Sequence, residues 1–448
     1  MGRRRRAGVS WAHEMRRRVR RPAQPETQAP IRPVKDPPMT TRADCERDDR
    51  ADPLAGFQDR FALPPNVIYL DGNSLGALPR DTQARLAEVV AAQWGRDLIT
   101  SWNRHGWIDQ PLRVGDKIAR LIGAEPGEVA VADSTSVNLF KLLSAALALR
   151  PGRRTVLSDT GNFPTDLYVA QGLLGLGGND VRLRTVDETA LSGAIDADTA
   201  VVLATQVNYR TGRLHDLAAV TAAAQRAGAL TVWDLSHSAG ALPVALNQVG
   251  ADFAVGCGYK YLNGGPGAPA FLFVARRHQP DLKPPLSGWM GHEAPFAFDL
   301  DYRPAKGIAR HLCGTPAILS LAALEVGVDL MLEADPALVR TKSMALGARF
   351  LALVEARCPG AFALASPRDA AARGSQVSLR HPNGYAIVQA LIARGVIADF
   401  RAPDILRFGF APLYLRHVDM WDAVEQLADV MATAAWDKPE FHRRAAVT

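Results

Sequence analysis

Between residues 129 and 234 the chain alternates short apolar runs with helical stretches, and this most narrows what it can fold into. Val129-Ala-Val-Ala-Asp leads to a helix expected over 136–149, and Arg154-Thr-Val-Leu-Ser precedes one near 164–174. Residues 180–185 and 200–205 read as strands, and a helix over 216–227 leads to a strand over 229–234. Strands this uniformly apolar are buried on both faces. The expected fold is therefore α/β, a mostly parallel sheet with helices on either side.

The last of these strands, Thr231-Val-Trp-Asp234, delivers a carboxylate at its end and runs on into Leu-Ser-His237. A second apolar run, Asp252-Phe-Ala-Val-Gly-Cys-Gly, delivers Tyr259-Lys260. An aspartate, a histidine and a lysine at strand C-termini are what a pyridoxal 5'-phosphate (PLP) enzyme needs. The lysine amine forms a Schiff base with the cofactor, and the aspartate keeps the pyridine nitrogen protonated. Ser134, Thr135 and Ser136 start a helix after a strand, where hydroxyls and free N–H groups bind a phosphate dianion. Phe163, in Asn162-Phe-Pro-Thr-Asp166, is placed to stack on a flat ring. Each residue has a plainer reading: a helix cap, a core aromatic, a buried ion pair, a solvated lysine. Their common position at strand ends favours the cofactor site. No Gly-x-Gly-x-x-Gly follows a strand, so a dinucleotide site is not expected.

Elsewhere, Val67–Leu70 reads as a short strand running into the turn Asp71–Gly76, followed by helices over 80–98 and 111–122. Past residue 310 a helical stretch over 316–357 breaks near Asp335-Pro336. Strands near 375–380 and 406–410 and helices over 384–394 and 418–433 then suggest a small α+β unit. The expected division of the 448 residues is a disordered extension over 1–50, a large PLP-binding domain over 51–310 and a connecting helix with a small domain over 311–448.

The net charge of +6 comes from the extension: residues 1–38 hold ten Arg and one Lys against three acids, leaving about −2 for the remainder. No apolar core follows these arginines, so a secretory signal is not expected. A presequence, a nucleic-acid-binding arm and a passenger ahead of Met39 compete, and the passenger reading is preferred because Met39-Thr-Thr-Arg resembles an ordinary start. No run of eighteen apolar residues exists, so no membrane helix is expected. Four scattered cysteines (Cys45, Cys257, Cys313, Cys358) argue against a metal site or disulfide framework and fit a cytoplasmic protein.

Over residues 55–435 the chain resembles the kynureninase family of aspartate-aminotransferase-like (fold type I) PLP enzymes. The resemblance is carried by Tyr69-Leu-Asp-Gly-Asn-Ser-Leu-Gly76, Phe163-Pro-Thr-Asp166, Trp233-Asp-Leu-Ser-His-Ser-Ala-Gly240, Gly258-Tyr-Lys-Tyr-Leu-Asn-Gly-Gly-Pro-Gly267 and Gly288-Trp-Met-Gly-His. It implies a homodimer that hydrolyses L-kynurenine, and 3-hydroxy-L-kynurenine, to anthranilate or its 3-hydroxy form and L-alanine in tryptophan catabolism, with no nucleic acid or membrane partner.

By resemblance, Lys260 carries PLP, Asp234 pairs with the ring nitrogen and Tyr259 shares in proton transfer. Thr135, Ser136 and Tyr259 would hold the phosphate. Phe163, Pro164, Thr165, Asp166, Thr205 and His237 would line the cofactor, with Trp289 and Thr315 entering from the second subunit. Arg407 would grip the substrate α-carboxylate. Asn73, Ser74, Trp102 and His105 would complete the substrate pocket. The competing reading within this fold is a cysteine desulfurase or selenocysteine lyase, which needs a catalytic Cys on a mobile loop. The competing reading outside it is an inactive scaffold that binds nucleic acid through the arginine tail.

Overall fold

A computed structural model describes residues 40–176 and 181–444. Seven strands form the main sheet, in the order Val129–Val131, Phe271–Val274, Phe253–Gly256, Leu230–Asp234, Thr199–Thr205, Thr155–Asp159 and Arg182–Val186. Phe271–Val274 is antiparallel to both its neighbours, and the remaining pairs are parallel. Alternate residues feed opposite cores. Val202 and Ala204 pack with Val114, Ile118 and Val220 on one face. Val201 and Leu203 pack with Leu139, Leu142 and Leu143 on the other. The five parallel-paired strands follow the predicted βα alternation. Phe271–Val274 was not anticipated, and it places Val129–Val131 at the far edge of the sheet.

The helix Ile318–Glu333 sets Leu321, Leu324 and Val328 against the main sheet. Asp335 then caps a new helix, Pro336–Arg357, by accepting from the Ala337 N–H at 2.8 Å. Proline at the first helical position accounts for the break read from the sequence. The second helix covers a four-stranded antiparallel sheet of Asp399–Arg401, Ile405–Gly409, Gln376–Arg380 and Ala363–Leu364. Its Phe350 packs against Phe408 and Phe410, with ring centroids 4.6 and 5.7 Å away.

One expectation is corrected. Disorder was expected through residue 50, but Arg42–Arg50 is a helix. Thr41 and Asp44 close a capping box at its start, the Asp44 N–H donating to Thr41 Oγ1 and the Thr41 N–H to Asp44 Oδ2. At its end Asp49 accepts from the His417 and Val418 N–H groups at 2.6 and 3.0 Å, capping the helix His417–Ala432. The polar composition that suggested disorder serves here to cap a helix distant in sequence. The rest of the predicted extension, residues 1–39, lies outside the described residues.

The segment after Ile68–Tyr69 ties the two sheets together. Ile68 and Tyr69 pair in parallel with Val396 and Ile397. The Gly409 N–H then donates to the Leu70 carbonyl and the Gly76 N–H to the Tyr259 carbonyl, both at 2.7 Å. A Cβ on Gly76 would stand 2.3 Å from the Lys260 carbonyl oxygen, so only glycine allows this approach. The turn Asp71–Gly76 is thereby held between the lysine loop and the arginine strand.

Candidate active site

Parallel sheets bind ligands beyond the carboxyl ends of their strands, and the predicted residues converge there. Asp234 ends its strand with 3% of its surface exposed, and its Oδ1 accepts from the Ser236 N–H at 2.7 Å. Burial pushes its carboxyl up, against the pull of Lys260. Asp166 is also buried. Burial and then the Asp234 charge push it well above the usual range, against Thr205, whose hydroxyl lies 3.4 Å from Asp166 Oδ2. Lys260 Nζ lies 3.0 Å from His237 Nε2. Burial above all, then Lys260, Arg407 and Arg401, push His237 well below its ordinary range, so it is neutral near pH 7.

The flanking turn is organised by Asn162, to which no role was given from sequence. Its Oδ1 accepts from the Thr205 hydroxyl and from the Phe163 N–H, and its Nδ2 donates to Ser158 Oγ at 3.0 Å. Pro164 and Thr165 open the helix Pro164–Leu176 that carries Asp166 inward. Phe163, held at the turn, meets Tyr209 edge-on at 5.1 Å. Behind this turn Asp159, Glu188 and His215 bring ligand atoms within 4.8 Å of one another. Arg213 and Asn208 already donate to Glu188, and Gly161 to Asp159, so protein groups satisfy the cluster.

At the start of the helix Thr135–Ala148, Ser134 acts as an N-cap, its Oγ accepting from the Val137 N–H at 3.4 Å. Thr135 and Ser136 open the first turn and are half-buried. Lys141, fully buried, reaches back to Asp133 and to the His311 carbonyl, which pins the turn. Tyr259 is half-buried, and burial pushes its phenol up, so it holds its proton across the physiological range.

On the small sheet, Arg407 is 1% exposed and donates to Asp399, Ser74 and the Tyr209 carbonyl. Ser74 thus joins the arginine. Asn73 is buried beside it, its Nδ2 3.5 Å from Gln376 Oε1. Asp399, Arg401 and Asp71 complete a charged group that the sequence reading did not include. The other four predicted residues have other neighbours, and Thr315 lines a cavity with Ala132 and Asp133, just before the Thr135 turn. His105 Nε2 lies 2.7 Å from Asp97, which Arg96 and Arg104 also reach. Trp102 packs edge-on to Trp107. Trp289, 36% exposed, meets Phe296, and Thr315 is exposed.

The site suits a flat, cationic, phosphorylated ring. Two buried carboxylates, Asp234 and Asp166, have Lys260 as the cation acting on both, and the His237 Nδ1 atom is buried without a partner. A protonated pyridine nitrogen supplies the missing charge, and the helix beginning at Thr135 offers free N–H groups to a phosphate.

Solved structures define the class. The chain is similar to a cysteine desulfurase from Thermococcus onnurineus NA1, with a TM-score of 0.69 and 18% identity over 88% of this chain and 99% of that one. It is also similar to a C-DES variant with glycine covalently linked to its PLP cofactor, with a TM-score of 0.71 and 16% identity over 83% and 99%. At that identity the likeness establishes the fold, that of type I PLP enzymes, and not the reaction.

Sequence relatives narrow it. The family model described as the kynureninase C-terminal domain matches residues 339–427. A kynureninase from Burkholderia pseudomallei (strain K96243) is 55% identical over 416 residues, covering 92% of this chain and 100% of that protein. One from Pseudomonas fluorescens is 52% identical over the same coverage. The chain belongs to the kynureninase family.

Proposed function

We propose that this chain is a PLP-dependent hydrolase that cleaves the Cβ–Cγ bond of L-kynurenine to give anthranilate and L-alanine. The observation that carries this is the Lys260–His237–Asp234 group at the strand ends, facing Arg407 and Ser74 within a chain of this family. PLP, when bound, joins the substrate amine and takes up the electron pairs released at Cα and then at Cβ.

The chain's own groups do the rest. Arg407 and Ser74 fix the α-carboxylate and so turn the Cα–H bond toward Lys260. Lys260, with neutral His237 beside it, removes that proton. Asp234, kept dry, holds the ring nitrogen charged. Tyr259 retains its proton and can pass it to or from a neighbouring oxygen. Water then adds to the γ-ketone, the Cβ–Cγ bond breaks to release the aryl carboxylate, and protons are returned at Cβ and Cα to give L-alanine.

The competing desulfurase chemistry needs a free, exposed cysteine. Cys358 is buried, and Cys313 donates to the Leu286 carbonyl at 3.1 Å. Finer points of the reading are that 3-hydroxy-L-kynurenine is also a substrate, and that Thr135, Ser136 and Tyr259 hold the phosphate. We place the enzyme in the cytoplasm on its four unpaired cysteines; among the described residues no helix is long and apolar enough to cross a membrane. The active form is a homodimer in which Trp289 and Thr315 of one subunit join the cofactor lining of the other, and His105 and Trp102 enclose the aryl end.

Steady-state turnover of both kynurenines by PLP-loaded protein tests this, with L-cysteine and sulfide release as the comparison. Lys260→Ala is expected to lose roughly 10²–10⁴-fold in kcat. Sulfide without anthranilate, or full turnover by the variant, sinks the reading.

A further inference from the structure

Arg407 is nearly saturated. Its Nε donates to Asp399 Oδ1 at 2.8 Å and its Nη2 to Asp399 Oδ2. Its Nη2 also reaches Ser74 Oγ at 2.6 Å, and its Nη1 the Tyr209 carbonyl at 2.7 Å. The paired N–H edge that makes a guanidinium a bidentate receptor is therefore spent on a carboxylate of the protein itself. An incoming carboxylate meets only the outer edge, where Ser74 and Tyr209 already sit.

Arg401 is differently placed. It lies on the adjacent antiparallel strand, where Asp399 stands opposite Arg407 and Arg401 opposite Ile405. Its side chain is 35% exposed, against 2% for that of Arg407. Its Nη2 lies 2.7 Å from Asp399 Oδ2 and 3.3 Å from Ser74 Oγ, and its Nη1 donates to the Phe400 carbonyl at 3.3 Å. The two guanidiniums thus share one carboxylate and one hydroxyl. The charges of both also act on buried His237, beside Lys260.

We propose that Arg401 is a second α-carboxylate receptor: Arg407, clamped by Asp399, offers the substrate carboxylate its outer edge beside Ser74, and the accessible Arg401 closes on that carboxylate from the other side of the hydroxyl. This rests on the reading of the site as one for an α-amino acid. Arg401 is then a specificity residue, distinguishing an acid from its amide or amine, and takes no part in the proton transfers.

The test compares ligands with and without the carboxylate on PLP-loaded wild-type and Arg401→Gln protein. For L-kynurenine, KM is expected to rise about 10–100-fold in the variant, with kcat within about threefold, because a charged hydrogen bond to the substrate is lost. KM for L-kynurenine amide should stay within about twofold. Calorimetric affinities for L-alanine and L-alaninamide give the same contrast without turnover: the preference for the acid should fall about tenfold or more. Equal weakening of acid and amide would mean that Arg401 only braces the strand, and no change would mean that it makes no contact; either overturns the proposal. Should Arg401→Gln fail to fold, Arg401→Lys, which keeps the charge and loses the fork, is expected to lie between the two, and the same pair of ligands decides. Wild-type protein that prefers L-alanine to its amide but does not cleave kynurenine would sink the function proposed above and leave the role of Arg401 standing.

Discussion

Asp71 lies beside Ser74, Asp399 and Arg407, in the turn that bridges the two sheets. Burial first, then the Asp399 charge, push its carboxyl up to about 7, against Arg407 and Ser74. Tyr69, Tyr261 and Tyr414 also face it, all holding their protons, and Arg401 feels it from the opposite strand. Below pH ~7 the group holds two guanidiniums against one carboxylate, Asp399, which Arg407, Arg401 and Ser74 keep low despite its burial. The excess positive charge favours a substrate carboxylate. Above pH ~7 Asp71 ionises and cancels it. KM for L-kynurenine is therefore expected to rise through about pH 7, and Asp71→Asn to flatten that rise while keeping the low-pH KM. An unchanged profile in the variant would remove Asp71 from substrate binding. The stability sign is also fixed. Between pH ~4 and ~7 the folded state keeps a proton that the unfolded state has released, so stability falls as pH rises across that window and is flat above it. Asp71→Asn should abolish this fall in urea titrations. At this scale Asp234 and His237 stood out because they end and follow one apolar strand, and Lys260 because it follows the next. Asp71, Asp399 and Arg401 were not, since residues some 330 apart meet only through the pairing of Ile68–Tyr69 with Val396–Ile397.

Long elements with a clear period could be read from the sequence, as could the antiparallel strands Gln376–Arg380 and Ile405–Gly409, but some short strands could not. The helix over 111–122 was expected to end at Gly123, and it does, with that residue at φ 65°. Asp399–Arg401 and Ala363–Leu364 have three and two residues, too few to show alternation. Phe271–Val274 follows a glycine-rich loop with no helix between it and Phe253–Gly256, so the βα rhythm gave no place for it. Packing at the element scale carries its own prediction. Gly327 lies inside the helix Ile318–Glu333, and a Cβ there would stand 2.2 Å from the Leu262 carbonyl oxygen and 2.9 Å from that of Asn263. Gly327→Ala must push the loop that follows Lys260. It should cost about 1–3 kcal/mol in denaturant unfolding and weaken PLP retention. Gly172, inside the helix Pro164–Leu176, has nothing within 4 Å of an added Cβ. Gly172→Ala should stabilise by roughly 0.5–1 kcal/mol through helix propensity alone. If the two substitutions behave alike, the contact of Gly327 with the lysine loop is not what matters there.

At the scale of the whole molecule, many of the large apolar side chains left in the open fall into two groups. Val90 and Trp94, with Leu98 and Ile99 in the short turn just beyond, follow one another in sequence, and Trp289, Phe296, Phe298 and Leu300 lie along one segment. Exposure on this scale fits a surface for a second copy of the chain, and the loop includes Trp289, which the family resemblance assigns to the neighbouring subunit's site. A closed two-fold dimer would give each site one lysine from its own chain and one Trp289 from the other. Complementation separates this from a dimer with independent sites. Lys260→Ala and Trp289→Ala proteins are each expected to be nearly inactive. Mixed, dissociated and allowed to reassociate at random, half the dimers carry one of each chain, and one of their two sites has both residues intact. Activity should therefore return to about one quarter of the wild-type level. If each chain instead built its site alone, the mixture would be no more active than its parts, whatever mass it showed by light scattering.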